Sequence, residues 1–257
     1  MKIQGKQILI TGANRGIGLA FAKVCAAHGA HLILAVRQTS PDLIQDLKSA
    51  GASSVQVIVT DLSSFEGVEQ LAKKMRLLPI DILFNNAGQL TGGLLETQPL
   101  DEIYKMFQVN VNALVHLTRA VIPEMVRRGS GKIINHASVS AVMHFPCAST
   151  YAASKAAVWA FTDCIQQELK GTGVSTLCLF TPGVKTRMFD EIDVLYSKNI
   201  DVVNESISPE LYADLILKAV QNNNLYLEPT GTTGVGFRVA QHFKGIFNWG
   251  VSQKFKR

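Results

Sequence analysis

The chain has 257 residues, a length one large α/β domain can fill although domains average roughly 150 residues. Apolar residues make up 47% and charged ones 18%, which excludes wholesale disorder and provides for a large core. Lys and Arg number 25 against 20 Asp and Glu, a formal charge of +5 that suits nucleic acid, an anionic membrane or an anionic cofactor.

The start, MKIQGKQILITG, turns glycine-rich too soon for a signal peptide. No apolar run approaches the roughly 18 residues of a membrane span, so a cytoplasmic protein is expected. Cys25, Cys147, Cys164 and Cys178 show no metal-ligand spacing and read as reduced thiols, with no metal site expected. Strands are expected at 7–11, 31–36, 54–59, 80–85, 132–137, 174–181 and 225–228. Helices are expected between them at 16–28, 41–50, 65–75, 101–127, 150–170 and 209–221. Strands alternating with helices read as βαβ units. The runs ILIT, LILAV, VQVIV and DILF are apolar on both faces, as in a parallel sheet covered by helices on each side. No linker divides the chain. The expectation is one doubly wound parallel sheet over 1–236, followed by a basic amphipathic segment at 237–257.

The first strand runs into Thr11-Gly12-Ala13-Asn14-Arg15-Gly16-Ile17-Gly18 and then a helix. Glycine tolerates positive φ and lets backbone approach a ligand closely. A helix N-terminus beside it offers unpaired N–H groups to a pyrophosphate. The spacing is G-x-x-x-G-x-G, distinct from the general G-x-G-x-x-G dinucleotide fingerprint. An NAD-preferring fold places a carboxylate after its second strand to hold the ribose 2′-hydroxyl. Here Ala35-Val36-Arg37 stands instead, and the first acid beyond is Asp42. Arg15 and Arg37, with guanidinium groups matched to phosphate, point to a 2′-phosphate and hence to NADP(H).

Tyr151 and Lys155 are four apart in a helical stretch and project from one face. The other four of the 5 tyrosines lack a lysine at that spacing. An ammonium beside a phenol favours the phenolate and is expected to lower its pKa from about 10. So tuned, the phenol can exchange a proton with a carbonyl oxygen as hydride is transferred. Ser138 follows the strand KIINHA, at the carboxyl edge where parallel sheets bind ligands. His136 reads as a packed strand residue.

At this point the chain resembles the short-chain dehydrogenase/reductase family over essentially its whole length. The matching residues are Thr11-Gly12-x-x-x-Gly16-Ile17-Gly18, Asp61-Leu62, Asn85-Asn86-Ala87-Gly88, Asn110, Ser138, Tyr151-x-x-x-Lys155 and Pro182-Gly183-x-x-Thr186. The resemblance implies a seven-stranded Rossmann-like sheet and nicotinamide-dependent hydride transfer. It implies Tyr151 as general acid/base, Ser138 orienting the carbonyl, Lys155 on the ribose hydroxyls, and Asn110 holding a relay water. Asp61 and Leu62 would flank the adenine. Asn86, Ala87 and Gly88 would line the cofactor, with Pro182, Gly183, Val184 and Thr186 on its nicotinamide and phosphate side. Arg15 and Arg37 stand where the family prefers NADP, and Asn14 lies in the same turn.

The substrate is expected among 89–95, 141–148 and the stretch after Gly183. Leu90, Leu94, Leu95, Val142, Met143, Phe145, Pro146, Met188, Phe189, Ile192 and Leu195 there favour an apolar ketone or secondary alcohol. Lys185 and Arg187 read as solvated loop charges. A 3-oxoacyl-carrier-protein reductase is an alternative, but this tail lacks that group's V-D-G-G-like ending. A catalytically silent NADPH-binding sensor is another. The resemblance also implies a homodimer or tetramer through 101–127 and 150–170.

The tail sets Phe243, Ile246, Phe247, Gly250, Val251 and Phe255 along one side at helical spacing. Arg238, Lys244, Lys254, Lys256 and Arg257 accompany them with no acid. Such a segment lies on an anionic membrane, docks on a partner, or packs across the substrate mouth. Its five cations account for the whole charge excess, leaving 20 basic and 20 acidic residues in the body. With no recognition helix or phosphate-tracking stripe either, nucleic acid is not an expected partner.

Overall fold

The computed structural model describes residues 1–196, 198–200 and 205–257. Strands β1 (Gln7–Thr11), β2 (His31–Val36), β3 (Ser54–Val59), β4 (Ile82–Asn85), β5 (Gly131–His136), β6 (Val174–Leu179) and β7 (Tyr226–Leu227) form one sheet. Their order is β3-β2-β1-β4-β5-β6-β7, and every neighbouring pair is parallel. The order reverses between β1 and β4, where Ile8 pairs with Leu32 on one side and Ile82 on the other. A doubly wound sheet opens its ligand crevice at such a switch point.

Local signals account for most helix starts. Helix α1 (Gly16–Ala27) follows the glycine turn. In α2 (Pro41–Ser49) the Ser40 hydroxyl accepts from the Leu43 N–H, and proline opens the helix. Ser64 caps α3 (Phe65–Met75) in the same way, and Ser208 with Pro209 starts α8 (Pro209–Gln221).

The stretch expected as a single helix over 101–127 is interrupted. It comprises α4 (Leu100–Phe107), a π-helical segment (Gln108–Ala113) and α5 (Leu114–Arg127). The physical reason is Asn110, whose side chain binds both backbone polar groups of Gln89. Such π-bulges commonly mark functional positions. Beyond β5 come α6 (Ser149–Glu168) and α7 (Arg187–Tyr196), the latter not foreseen as a helix. The tail forms two helices, α9 (Gly231–His242) and α10 (Lys244–Ser252). Helix α9 therefore begins before the expected boundary at 237.

The core lies in layers on both faces of the sheet. On one face α1 and α8 pack Phe21, Tyr212 and Ile216 against Ile8, Leu34 and Phe84. On the other, α3 and α5 pack Leu71, Leu117 and Val121 against Leu9, Leu83 and Ile133. Phe21 meets Phe84 edge-on, with centroids 5.2 Å apart, and burying one such ring contributes about 2–3 kcal/mol. A buried polar ladder crosses the sheet as well. Asn85 Nδ2 donates to Thr118 Oγ1 and Asn135 Oδ1, both at 2.9 Å, and Asn135 donates to Thr162 Oγ1 at 3.0 Å. These bonds hold α5 and α6 in register with β4 and β5, and so position the residues described next. No described helix is long and apolar enough to cross a membrane.

Candidate active site

The glycine turn is built by backbone conformation and by one asparagine. Gly12 and Gly16 have φ of +67° and +55°, the left-handed region that side chains rarely adopt. The Thr11 hydroxyl accepts from the N–H groups of Asn86 and Ala87 at 3.0 and 2.9 Å. Asn86 Nδ2 donates back to the carbonyls of Thr11 and Gly12 at 2.9 and 3.3 Å. A Cβ on Gly12 would stand 3.1 Å from Ala87 Cα, so the turn and the Asn86–Gly88 loop interlock. One on Gly16 would lie 3.2 Å from Thr186 Cγ2, which brings the loop after β6 to the same place.

Helix α1 leads from Arg15 with no side chain capping its N-terminus. Its first N–H groups therefore lack a side-chain acceptor, the arrangement that favours a diphosphate. Asn14, Arg15, Arg37 and Asp61 are exposed along this edge, while Leu62 is buried. The Ser63 N–H, 3.0 Å from Asp61 Oδ1, holds the Asp61 carboxyl below its usual range, and the Arg37 guanidinium adds to the effect.

Toward β5 the remaining sequence-expected residues converge. Tyr151 and Lys155 lie one turn apart on α6. Ser138 closes β5, its oxygen accepting from the Ser140 N–H at 3.1 Å. Asn110 accepts from the Gln89 N–H at 2.8 Å and donates to the Gln89 carbonyl at 3.0 Å and to Ser154 Oγ at 3.1 Å. Ser154 in turn donates to the Tyr151 carbonyl at 2.7 Å. A Cβ on Gly88 would sit 3.5 Å from Asn110 Oδ1 and 3.7 Å from Lys155 Nζ, so these three meet at one point.

The electrostatics differ from the sequence expectation. Burial pushes the Tyr151 phenol up to about 12, a hydrogen bond with Ser138 offsetting only part of the rise. Lys155, expected to lower it, donates instead to the His136 carbonyl at 2.7 Å, its Nζ 5.7 Å from the Tyr151 ring centre. Burial also brings the Lys155 ammonium down to about 8. Desolvation thus outweighs the ammonium's attraction for a phenolate. The raised pKa leaves the phenol protonated at neutral pH.

A cavity of about 590 Å³ opens over Ser138 and Tyr151, with Pro182, Gly183, Val184 and Thr186 along one side. Leu90, Met143, Phe145, Met188, Phe189 and Ile192 line it as expected. Leu94 and Leu195 pack instead around a neighbouring cluster, Val142 is buried in the core beside α6, Leu95 is exposed, and Pro146 lines an adjoining recess. Lys185 and Arg187 are exposed.

Two contributors were missed. His136 faces the cavity, its ring stacked on Phe84 with Nδ1 3.2 Å from Asn86 Oδ1. Burial and then the Lys155 charge hold it well below its usual pKa, so it is neutral. The signal was present, because residues two apart in a strand share a face and His136 precedes Ser138 by two. Tyr196 also lines the cavity, with a buried hydroxyl that finds no partner among the described residues. Its neighbours come from remote loops, and no local pattern marks it. The tail takes the position across the substrate mouth that was among those expected for it, with Val239, Ile246, Phe247, Gly250, Val251 and Lys254 lining the cavity.

Comparison with known proteins identifies the family. The short chain dehydrogenase family profile matches residues 6–194. A ketoacyl reductase, HetN, of Nostoc sp. is 33% identical over 224 residues, spanning 86% of this chain and 77% of the relative. A fatty acyl-CoA reductase of Acinetobacter baylyi is 31% identical over 226 residues, 85% of this chain and 74% of the relative. A solved short-chain dehydrogenase of Sphingobium yanoikuyae in complex with NADPH superposes with a TM-score of 0.80 at 25% identity. That match covers 98% of this chain and 97% of the other. The chain therefore belongs to the short-chain dehydrogenase/reductase family of oxidoreductases.

Proposed function

We propose that the protein is an NADP(H)-dependent reductase that transfers hydride to the carbonyl of an apolar ketone, with Tyr151 as the proton donor. The observation that carries this reading is that Ser138 and Tyr151 line one apolar cavity, with Lys155 one helical turn from Tyr151. The glycine turn and the N-terminus of α1, uncapped by any side chain, fit a dinucleotide diphosphate. Arg15 and Arg37 suit the additional 2′-phosphate of NADPH.

NADPH supplies the hydride when bound. Ser138 Oγ holds the substrate oxygen, and Tyr151 Oη delivers the proton to it as the carbonyl carbon is reduced, giving a secondary alcohol. Lys155 is the group for the ribose hydroxyls, and Asn110, Gly88 and Lys155 together bound a proton path behind Tyr151. Gly12, Gly16, Gly18, Asn86 and Ala87 shape the cofactor bed. Reduction uses the protonated phenol and the reverse oxidation uses the phenolate. An acyl chain bearing a ketone is a second substrate reading, favoured by the relative named as a ketoacyl reductase.

Tyr151→Phe removes only the hydroxyl. Turnover of a ketone panel, read as NADPH oxidation, is expected to fall by roughly 10²–10⁴-fold, with NADPH affinity retained. Residual turnover within about tenfold of the parent would remove Tyr151 from this role. A parent enzyme that binds NADPH but reduces nothing in the panel would favour the sensor reading.

A further inference from the structure

Helices α9 and α10 present two unlike faces. Inward, Phe237 packs on Phe180 with centroids 5.0 Å apart, and Phe247 meets Phe145 at 5.6 Å. The end of the tail is tied down as well: the Lys256 N–H donates to the Asn199 carbonyl at 2.7 Å, and Arg257 pairs with Glu96 at 2.7 Å. Outward, Phe243, Ile246 and Trp249 follow each other at three-residue intervals and remain 60%, 63% and 67% exposed. Three large apolar side chains left in water, one at the α9–α10 junction and two on α10, are unusual for a free surface.

The charge around them selects the occupant. Residues 231–257 contain no Asp or Glu, while Arg238, Lys244, Lys254, Lys256 and Arg257 are all exposed. A second copy docking through this face by two-fold symmetry would set cations against cations. An anionic lipid surface is complementary to both features. Headgroups meet the cations, and the Trp and Phe rings sit at the depth where their amphipathic character is favoured. Neither helix is long or apolar enough to cross a bilayer, so the geometry is that of a helix lying in the interface.

We propose that α9 and α10 seat the protein peripherally on anionic membranes through Phe243, Ile246 and Trp249. Ile246 is both a cavity-lining residue and exposed, so the rim of the cavity lies on the docking face. This last point rests on the ketone-reductase reading: an apolar substrate dissolved in lipid would enter the cavity directly from the membrane.

The full-length protein is tested by sedimentation with sucrose-loaded vesicles of phosphatidylcholine alone or with phosphatidylglycerol. It is expected to pellet with the anionic vesicles, weakly with the neutral ones, and less as salt rises. Its tryptophan emission is expected to shift to the blue on binding. Phe243→Ser/Trp249→Ser is expected to lower vesicle partitioning by about tenfold or more while leaving reduction of a water-soluble ketone unchanged. The proposal is overturned if the parent stays in the supernatant with anionic vesicles at low salt, or if the double variant binds them equally well. It is also overturned if the parent ignores vesicles and the double variant dissociates a dimer in sedimentation velocity, which assigns the face to a second copy. Vesicle binding is read without turnover, so failure of the reductase assay leaves this test standing.

Discussion

Gly18→Ala probes the coupling between the glycine turn and the rest of the site. Glycine to alanine within a helix ordinarily stabilises by about 0.5–1 kcal/mol, and Gly18 sits in the first turn of α1. Here the added methyl would lie 2.5 Å from Asn86 Nδ2, 2.6 Å from the Gly12 carbonyl oxygen and 3.1 Å from Ala13 Cα. The Asn86 amide must move, and the contact with the Gly12 carbonyl forces the turn itself to shift as well. The amide then loses its bonds to the carbonyls of Thr11 and Gly12 and its contact with His136 Nδ1. At about 1 kcal/mol per net hydrogen bond, together with about 1–3 kcal/mol for overpacking, the substitution should cost on the order of 2–4 kcal/mol. At about 2–4 °C per kcal/mol for a domain of this size, Tm falls by roughly 5–15 °C. Gly245→Ala in α10 is the control, because its Cβ would meet nothing within 4 Å, and it should gain about 0.5–1 kcal/mol. Urea unfolding with an unchanged m-value measures both, and an NADPH titration should show weakened binding for Gly18→Ala alone. If Gly18→Ala proves as stable as the control with unchanged NADPH affinity, the close packing of Asn86 against α1 is refuted.

Arg15→Ala/Arg37→Ala should reduce the NADPH-to-NADH ratio of kcat/KM by about 100-fold, since each charge-assisted phosphate contact is worth about 1.5–3 kcal/mol. A parent enzyme that uses NADH as well as NADPH would contradict the assignment. His136 is held neutral in the folded chain, whereas in the unfolded chain it binds a proton below about 6.5. Its depressed pKa therefore makes stability fall as pH drops below that value. His136→Asn, which can still donate to Asn86, should flatten the decline of Tm between pH 7.5 and 5. An unchanged pH slope would place the acid sensitivity elsewhere.

Much of the fold follows from local patterns. The apolar runs at β1 and β2 have the expected bounds because a strand buried on both faces has no alternative pattern to adopt, whereas β3 lies at the sheet edge, largely exposed, and is paired to β2 alone. The Ser-Pro pairs before α2 and α8 start those helices through one side chain and one ring. The glycine spacing and the four-residue interval of Tyr151 and Lys155 are equally local, so the family and its chemistry could be read from residue types in order.

Tertiary contacts decided the rest. The π-helical break at Gln108–Ala113 comes from bonds between Asn110 and Gln89, 21 residues away, against a helical pattern that nothing nearby interrupts. The Tyr151 pKa rises because burial is a property of the assembled cavity, and the neighbouring ammonium turns toward the His136 carbonyl. The tail's basic and apolar residues were evident as composition. Which of them close the cavity and which remain in water depends on Phe145 and Phe180, which hold Phe247 and Phe237 inward and leave Trp249 outside. Residue types in sequence determine what chemistry is available; burial and direction, which require the whole chain, determine which protonation state and which surface that chemistry meets.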